Sequence, residues 1–400
     1  MIDDVSLIAD VALLVQQRSL SGEEDGAVRL FASLLHRLGF DEVCTDPVGN
    51  LVAVIRGGRP GGRVCFEGHI DTVSEGDPAL WSRDPFGGEV SAGRIWGRGT
   101  SDMKAALVAM AHGLAALVPE KKELHGELVL AAVVCEEIFE GVAFGHLLDA
   151  CPVDVVVVGE ATELELAVGQ KGRAEIRLEV HGKSAHSSCP SAGLNAVRGF
   201  ASIFSSIDQI SLPHDPLLGP AILEPVDVIS SPWPGASVIP ALCSSTWDRR
   251  VLPGEREEDV IAPLRALLER QMGAFPGISA QAGIVEAEFK TWTGKTLKAR
   301  RFFPAWVLSA EDPFRAVAQA ALAAAGLPAG IRTWGFCTDG SESAGRRGIP
   351  TLGFGPSRED CAHIADEYVE VSQVLAAARG YTALARALSG HVARQGTAGR

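Results

Sequence analysis

The sequence predicts an α/β protein, with a central mixed sheet flanked by helices and an inserted ferredoxin-like α+β domain. Two patterns point that way. In residues 1–173 short, continuous apolar runs alternate with helical stretches, as strands buried on both faces of an α/β sheet require. Near Gly172 apolar residues begin to alternate with charged ones, the mark of a sheet with one face toward water. At 400 residues the chain is also long enough for two cores.

Leu51–Ile55, Val64–Phe66, Leu128–Cys135 and Val155–Val158 are the apolar runs and predict buried strands, with a helix over 102–117 among them. From Ala174 to His181, Ile176, Leu178 and Val180 alternate with charges. Val197, Phe200, Phe204 and Ile207, spaced by three or four, predict an amphipathic helix. Strands over 221–229 and 242–250, a helix over 255–272 and a strand over 278–289 complete the order β-α-β-β-α-β. The inserted domain is thus expected at 174–295, between two parts, 1–173 and 296–400, of the first domain. A helix over 312–325, a strand over 351–354 and a helix over 371–388 resume the first pattern. The tail, 391–400, has little apolar content and is expected to be loosely ordered.

A formal net charge of -14 argues against binding a phosphate backbone, so nucleic acid is not an expected partner. The eight cysteines are scattered, with no close pair at redox or zinc-knuckle spacing, and are expected as reduced thiols in a cytoplasmic protein. The acidic start, Met1-Ile2-Asp3-Asp4, does not resemble a secretory signal. The longest apolar segment, Ala105–Val118, is interrupted by His112 and Gly113 and falls short of the roughly 20 residues of a spanning helix, so no membrane is expected.

Chemistry concentrates at the ends of the apolar runs. His69 and Asp71 follow Val64–Phe66, where a strand opens into the crevice that α/β sheets use for ligands. Residues two apart on an extended chain share a face, so the Asp71 side chain can accept a hydrogen bond from the far nitrogen of a ligating His69; the alternative is a polar strand-end turn. Asp102 follows Gly97-Arg-Gly-Thr-Ser and either caps the next helix or places one oxygen on each of two ions. Glu136-Glu137 and Glu160 close two further apolar runs. One of the paired glutamates can bind metal while the other faces water; both could equally sit in a solvated loop. With a late His363, the ordered set reads as a site for two divalent ions of the zinc type.

His186, in Lys183-Ser-Ala-His-Ser-Ser-Cys-Pro190, follows the first strand of the inserted domain, and Asp248-Arg249-Arg250 ends another. Arg250 could hold a carboxylate bidentately or simply be salt-bridged, and His186 could be an ordinary surface histidine. His36, His112, His125, His146, His181, His214 and His391 carry no such context and read as structural.

Gly68-His-Ile-Asp-Thr-Val73, Trp81-Ser-Arg-Asp-Pro-Phe86, Gly97-Arg-Gly-Thr-Ser-Asp-Met-Lys104, Glu136-Glu137, Gly182-Lys-Ser-Ala-His186, Asn195-Ala196, Val238-Ile-Pro240 and Ala362-His363 span nearly the whole chain. Together they resemble the dinuclear-zinc hydrolase family of acetylornithine deacetylase, succinyl-diaminopimelate desuccinylase, aminoacylase and glutamate carboxypeptidase. Trp292-Thr-Gly294, Phe303-Pro-Ala-Trp306, Phe336-Cys-Thr-Asp-Gly340 and Gly353-Phe-Gly-Pro356 are most similar to a hydrolase subgroup linked to selenium metabolism.

The resemblance implies that Asp102 bridges two zinc ions, with His69 and Glu160 on one and Glu137 and His363 on the other, and that Glu136 is the general base. It also implies a lid and dimerisation role for the inserted domain, a homodimer in which His186 reaches the partner's active site, and Arg250 as the contact to a substrate carboxylate. Many members have Asn before Val-Ile-Pro where this chain has Ser237, which puts that substrate contact in question. The expected activity is hydrolysis of the amide of a small N-acyl amino acid or related compound, with cobalt or manganese as other metals the donors would accept. A dipeptidase or carboxypeptidase, a hydrolytic deaminase on the same scaffold, and a non-catalytic metal-dependent binding protein are the competing readings; an intact Glu136 disfavours the last, because binding needs no base.

Overall fold

The computed structural model describes residues 2–398. Within them the main sheet has nine strands and is mixed. Across it run Glu42–Thr45, Leu51–Arg56, His125–Val133, Arg59–His69, Val155–Val158, Thr351–Gly353, Leu166–Gln170 and Trp306–Val307, with Ile331–Trp334 also paired to Leu166–Gln170. Arg59–His69 is parallel to both neighbours, and Val155–Val158 is parallel to Thr351–Gly353. Four adjacent strands therefore open their carboxyl ends along one edge, the edge where α/β sheets bind ligands.

Helices Asp4–Val15, Asp25–Leu38, Ala105–Ala115, Val142–Ala150, Pro313–Ala324 and Val371–Ala398 flank this sheet. Every residue from Ala105 to Leu114 is buried, which explains why that helix is apolar all round. It begins at Ala105, not at Asp102. The cap position of that helix is Lys104, and the Asp102 carboxylate faces His69 and His363 instead, so Asp102 is not the helix cap.

The second sheet places Ile222–Ser231, Leu242–Val251, Gly172–His181 and Ser279–Ile284 side by side, all antiparallel. With helices Ala196–Phe204 and Glu257–Met272 it has ferredoxin-like topology. Its core is separate from that of the main sheet and is built on Ile176, Leu178, Val180, Phe200, Trp247, Leu264 and Leu267.

Two expectations are corrected. The run 278–289 is not one strand: at Val285 the backbone bonds to Glu175 and Arg301, and the chain leaves the second sheet. Glu286–Lys290 then pairs with Thr296–Arg300 in a hairpin whose Ala287, Phe289 and Ala299 pack on the first core. The tail is helical as far as it is described, because Val371–Ala398 continues through it, and 399–400 lie outside the described residues. The eight thiols are all unpaired, and among the described residues no helix is long and apolar enough to cross a membrane.

One close approach fixes the edge of the main sheet. A Cβ on Gly355 would lie 2.2 Å from the carbonyl oxygen of Gly159 and 2.5 Å from that of Glu160. Both are backbone atoms and cannot rotate away. Gly355→Ala should therefore cost about 1 to 3 kcal/mol in a denaturant titration and displace Glu160; an unchanged midpoint would show that this edge can spread.

Candidate metal centre

The open edge gathers His69, Asp102, Glu136, Glu137, Glu160 and His363. His69 ends its strand, and its Nε2 lies 2.7 Å from Asp102 Oδ1 and 3.3 Å from Glu160 Oε1. The other Asp102 oxygen, Oδ2, is 3.0 Å from His363 Nε2, which is also 3.1 Å from Glu137 Oε2. Two donor triads thus share one carboxylate: His69, Asp102 and Glu160, then Asp102, Glu137 and His363. Within each triad the donor atoms lie within 4.8 Å of one another. One imidazole and two carboxylates per triad suit divalent ions of the zinc, cobalt or manganese kind.

The turn that carries the glutamates is not a solvated loop. Glu136 is 6% exposed, and five backbone donors along the turn are held by side chains from elsewhere. Val134 N–H donates to Asn50 Oδ1, Cys135 N–H to Glu24 Oε1, Glu136 N–H to Asp71 Oδ1, Glu137 N–H to Asp71 Oδ2 and Gly141 N–H to Asp339. This corrects the reading of Asp71. Its carboxylate is committed to the turn, 3.7 Å from His69 Nδ1, while its backbone carbonyl, 2.9 Å from Nδ1, orients the ring.

Asp102 is positioned in the same manner. Glu367 Oε1 accepts from the N–H groups of Ser101 and Asp102, at 2.8 and 3.2 Å, and Oε2 pairs with Arg98. Both members of this ion pair are buried. Glu24, Asn50 and Glu367 have no part in the sequence reading, and Asp339 enters it only within Phe336–Gly340, with no role of its own. The task of each appears only when a distant segment folds against it.

Burial pushes the Glu136 carboxyl well above the usual range; His69 opposes this, and Asp339, Glu137 and Glu160 reinforce it. Burial and Asp102 push Glu137 up to about 7 against the pull of His363, and Glu160 is raised by the same two causes. Burial would also raise Asp102, but His69 and His363 hold it below the ordinary value. Hydrogen bonds to Asp102 and Glu137 raise His363 to about 10, and His69 is raised by its carboxylate neighbours despite burial. Acids packed this closely make the edge a strong attractor of cations.

A cavity of about 440 Å³ opens over the centre, and Arg250 lines it together with Glu136, Asp102, Glu137, Glu160 and His363. Arg249 turns the other way and pairs with Glu255, so Arg250 is the arginine of the pair that faces the cleft. His186 and Ser237 do not line this cavity. Their two loops are joined instead: His186 bridges Val238, Ser187 N–H donates to the Ser237 carbonyl at 3.0 Å, and both side chains are exposed.

Two ligand triads sharing a carboxylate at the open edge of an α/β sheet, with a further buried glutamate beside them, define a dinuclear metallohydrolase. The family model for peptidase family M20/M25/M40 matches residues 65–387, and the chain belongs to that family, whose members act on amide bonds. It is 30% identical over 372 residues to the uncharacterized protein YgeY of Escherichia coli, covering 92% of this chain and 90% of that one. It is 31% identical over 387 residues to a succinyl-diaminopimelate desuccinylase of Cereibacter sphaeroides, covering 93% and 95%. The Bacillus subtilis YXEP protein, described as a dinuclear metal binding peptidase from the M20 family, superposes with a TM-score of 0.71 at 15% identity, covering 97% of this chain and 98% of that one, a likeness of fold.

Glu367 gives a direct test of how the bridge is held. Glu367→Gln should weaken binding of divalent ions by about tenfold or more, because it loosens the Ser101–Asp102 backbone. Leaving Arg98 buried without its partner should also cost about 3 kcal/mol of stability. Unchanged metal affinity in calorimetry would remove Glu367 from the support of the centre.

Proposed function

We propose that this enzyme hydrolyses the amide bond of a small N-acyl amino acid, or a related compound carrying a carboxylate, with two zinc ions and Glu136 as general base. His69, Asp102 and Glu160 would hold one ion, and Asp102, Glu137 and His363 the other. Cobalt or manganese would suit the same donors. When bound, such ions supply the Lewis acidity that makes water nucleophilic near neutral pH and polarises a carbonyl.

The observation that carries this reading is the placement of Glu136. Asp71 fixes its backbone, and its side chain lines the cavity beside the two triads. A carboxylate placed there can take a proton from the attacking water and return it to the departing nitrogen. Arg250 holds the substrate carboxylate. Its guanidinium is paired with Asp248 through Nε at 2.8 Å, which leaves the terminal nitrogens for a bidentate contact.

The exposed His186 and Ser237 loops fit a homodimer in which His186 of one subunit completes the oxyanion site of the other. Eight unpaired thiols fit a cytoplasmic location. A dipeptidase would use the same residues, and the desuccinylase relative tilts the reading toward deacylation.

Amine release from a panel of N-acyl amino acids and dipeptides, with zinc, cobalt or manganese added, tests the activity; release from dipeptides alone would make the enzyme a dipeptidase, and release of ammonia a deaminase. Glu136→Ala should keep two ions by elemental analysis yet lose about a thousandfold in turnover, since general acid-base catalysis contributes about that much. Near-normal turnover would contradict its role as base. Mixed dimers of His186→Ala and Arg250→Ala subunits should recover part of the activity that each variant lacks; no recovery in well-exchanged dimers would sink the shared site.

A further inference from the structure

Beside the ligand triads, one wall of the cavity is a network of alternating charges. Arg173 and Arg250 lie directly opposite each other on paired strands, an arrangement that repels. Asp248 relieves it by bonding both, with Oδ2 2.9 Å from Arg173 Nε and Oδ1 2.8 Å from Arg250 Nε. Arg173 also pairs with Glu140 Oε1 at 2.9 Å and with Glu175 at 3.3 Å, and Glu175 in turn pairs with Arg301 at 2.6 Å. Three carboxylates and three guanidinium groups balance.

Two valences stay open in this balanced wall. One is the terminal fork of Arg250. The other is Glu140 Oε2, which is buried and has no hydrogen-bond partner. Glu140 is 8% exposed, lines the cavity, and sits on the turn that carries Glu136, with the next N–H fixed by Asp339. A buried carboxylate oxygen without a donor costs free energy that a ligand's donor would recover. Both residues line the same cleft, so a ligand there meets one fork for an anion and, once the Glu140 side chain turns its buried oxygen inward, one acceptor for a cation.

We propose that Glu140 and Arg250 together read a zwitterionic amino-acid end of the substrate, Arg250 taking its carboxylate and Glu140 Oε2 its ammonium group. This rests on the hydrolase reading and narrows it. The nitrogen that carries the acyl group is then a second nitrogen of the substrate, not the one beside the recognised carboxylate. The substrate class is a diamino acid acylated on its distal nitrogen. A substrate acylated on the α-nitrogen has no ammonium to offer and leaves Glu140 Oε2 unpaired.

Two compounds separate these cases: Nε-acetyl-lysine and 6-acetamidohexanoate share the amide, chain and carboxylate, and only the first has the ammonium. Calorimetric binding to the zinc-loaded Glu136→Ala enzyme, which retains the metal site without turnover and serves as the background for the variants below, should favour Nε-acetyl-lysine by about tenfold or more, the value of one charge-assisted hydrogen bond. Glu140→Gln keeps an oxygen for Arg173 but replaces the open acceptor with a donor, so it should abolish the preference for Nε-acetyl-lysine over 6-acetamidohexanoate. Arg250→Ala should weaken both ligands alike. Equal binding of the two compounds by the Glu136→Ala enzyme, no binding of Nε-acetyl-lysine, or a preference that survives in Glu140→Gln would overturn the proposal. Amine release by the wild type is scored separately. Turnover without a preference removes the role of Glu140 and keeps the hydrolase; a preference without turnover of any panel member does the reverse.

Discussion

The centre depends on a single carboxylate, Asp102, meeting two histidines that come from opposite ends of the chain. His69 reaches one oxygen from the end of a sheet strand, and His363 reaches the other from a loop near the last helix. Asp102 can face both because its own segment is not helical and is drawn in by Glu367, four residues beyond His363. Ser101 Oγ, 2.7 Å from Ser357 Oγ, adds a second tie between the same two regions. The interaction that joins the triads therefore also fastens the two parts of the main domain to each other.

Such a site is unfavourable for the protein alone. Asp71, Asp102, Glu136, Glu137 and Glu160 crowd one edge with two imidazoles between them, and burial raises Glu136, Glu137 and Glu160 above their ordinary values. Bound cations would relieve the repulsion, so part of their binding free energy becomes folding free energy. Parallel strands make the concentration possible. Four strand ends point the same way without a single loop having to supply every ligand.

Much of this was legible in the sequence, because a histidine or acid directly after an apolar run marks a strand end. That rule found His69, Asp71, Glu136, Glu137 and Glu160. Strand alternation also separates Arg249 from Arg250, but which face meets the cleft depends on how Leu242–Val251 packs, and only the fold shows it. Glu367, Glu24 and Asn50 had no local signal, and Asp339 stood in a recognisable segment without a role, since all four act on backbone groups far away in sequence. Asp71 was half legible: adjacency predicted a contact with His69, but the carboxylate found stronger use in two N–H groups of the glutamate turn. The break at Val285 was invisible because both halves of the run have strand character, and only hydrogen bonds to Glu175 and Arg301 divide them.

The division of labour between two adjacent glutamates follows from that turn. On a strand, Glu136 and Glu137 would point to opposite faces, and only one could reach the cleft. Here the strand ends at Val133 and Cys135 takes φ 60°, so the chain bends and both side chains enter the cavity. A free turn of this kind would sample many orientations and place neither carboxylate reliably. Asn50, Glu24, Asp71 and Asp339 remove that freedom by occupying its N–H groups from four separate segments. The cost of ordering the pair is met during folding, before any ligand arrives, so Glu137 stays beside His363 and Asp102 while Glu136 is held separately in the cavity, the arrangement that the proposed roles of ligand and base require.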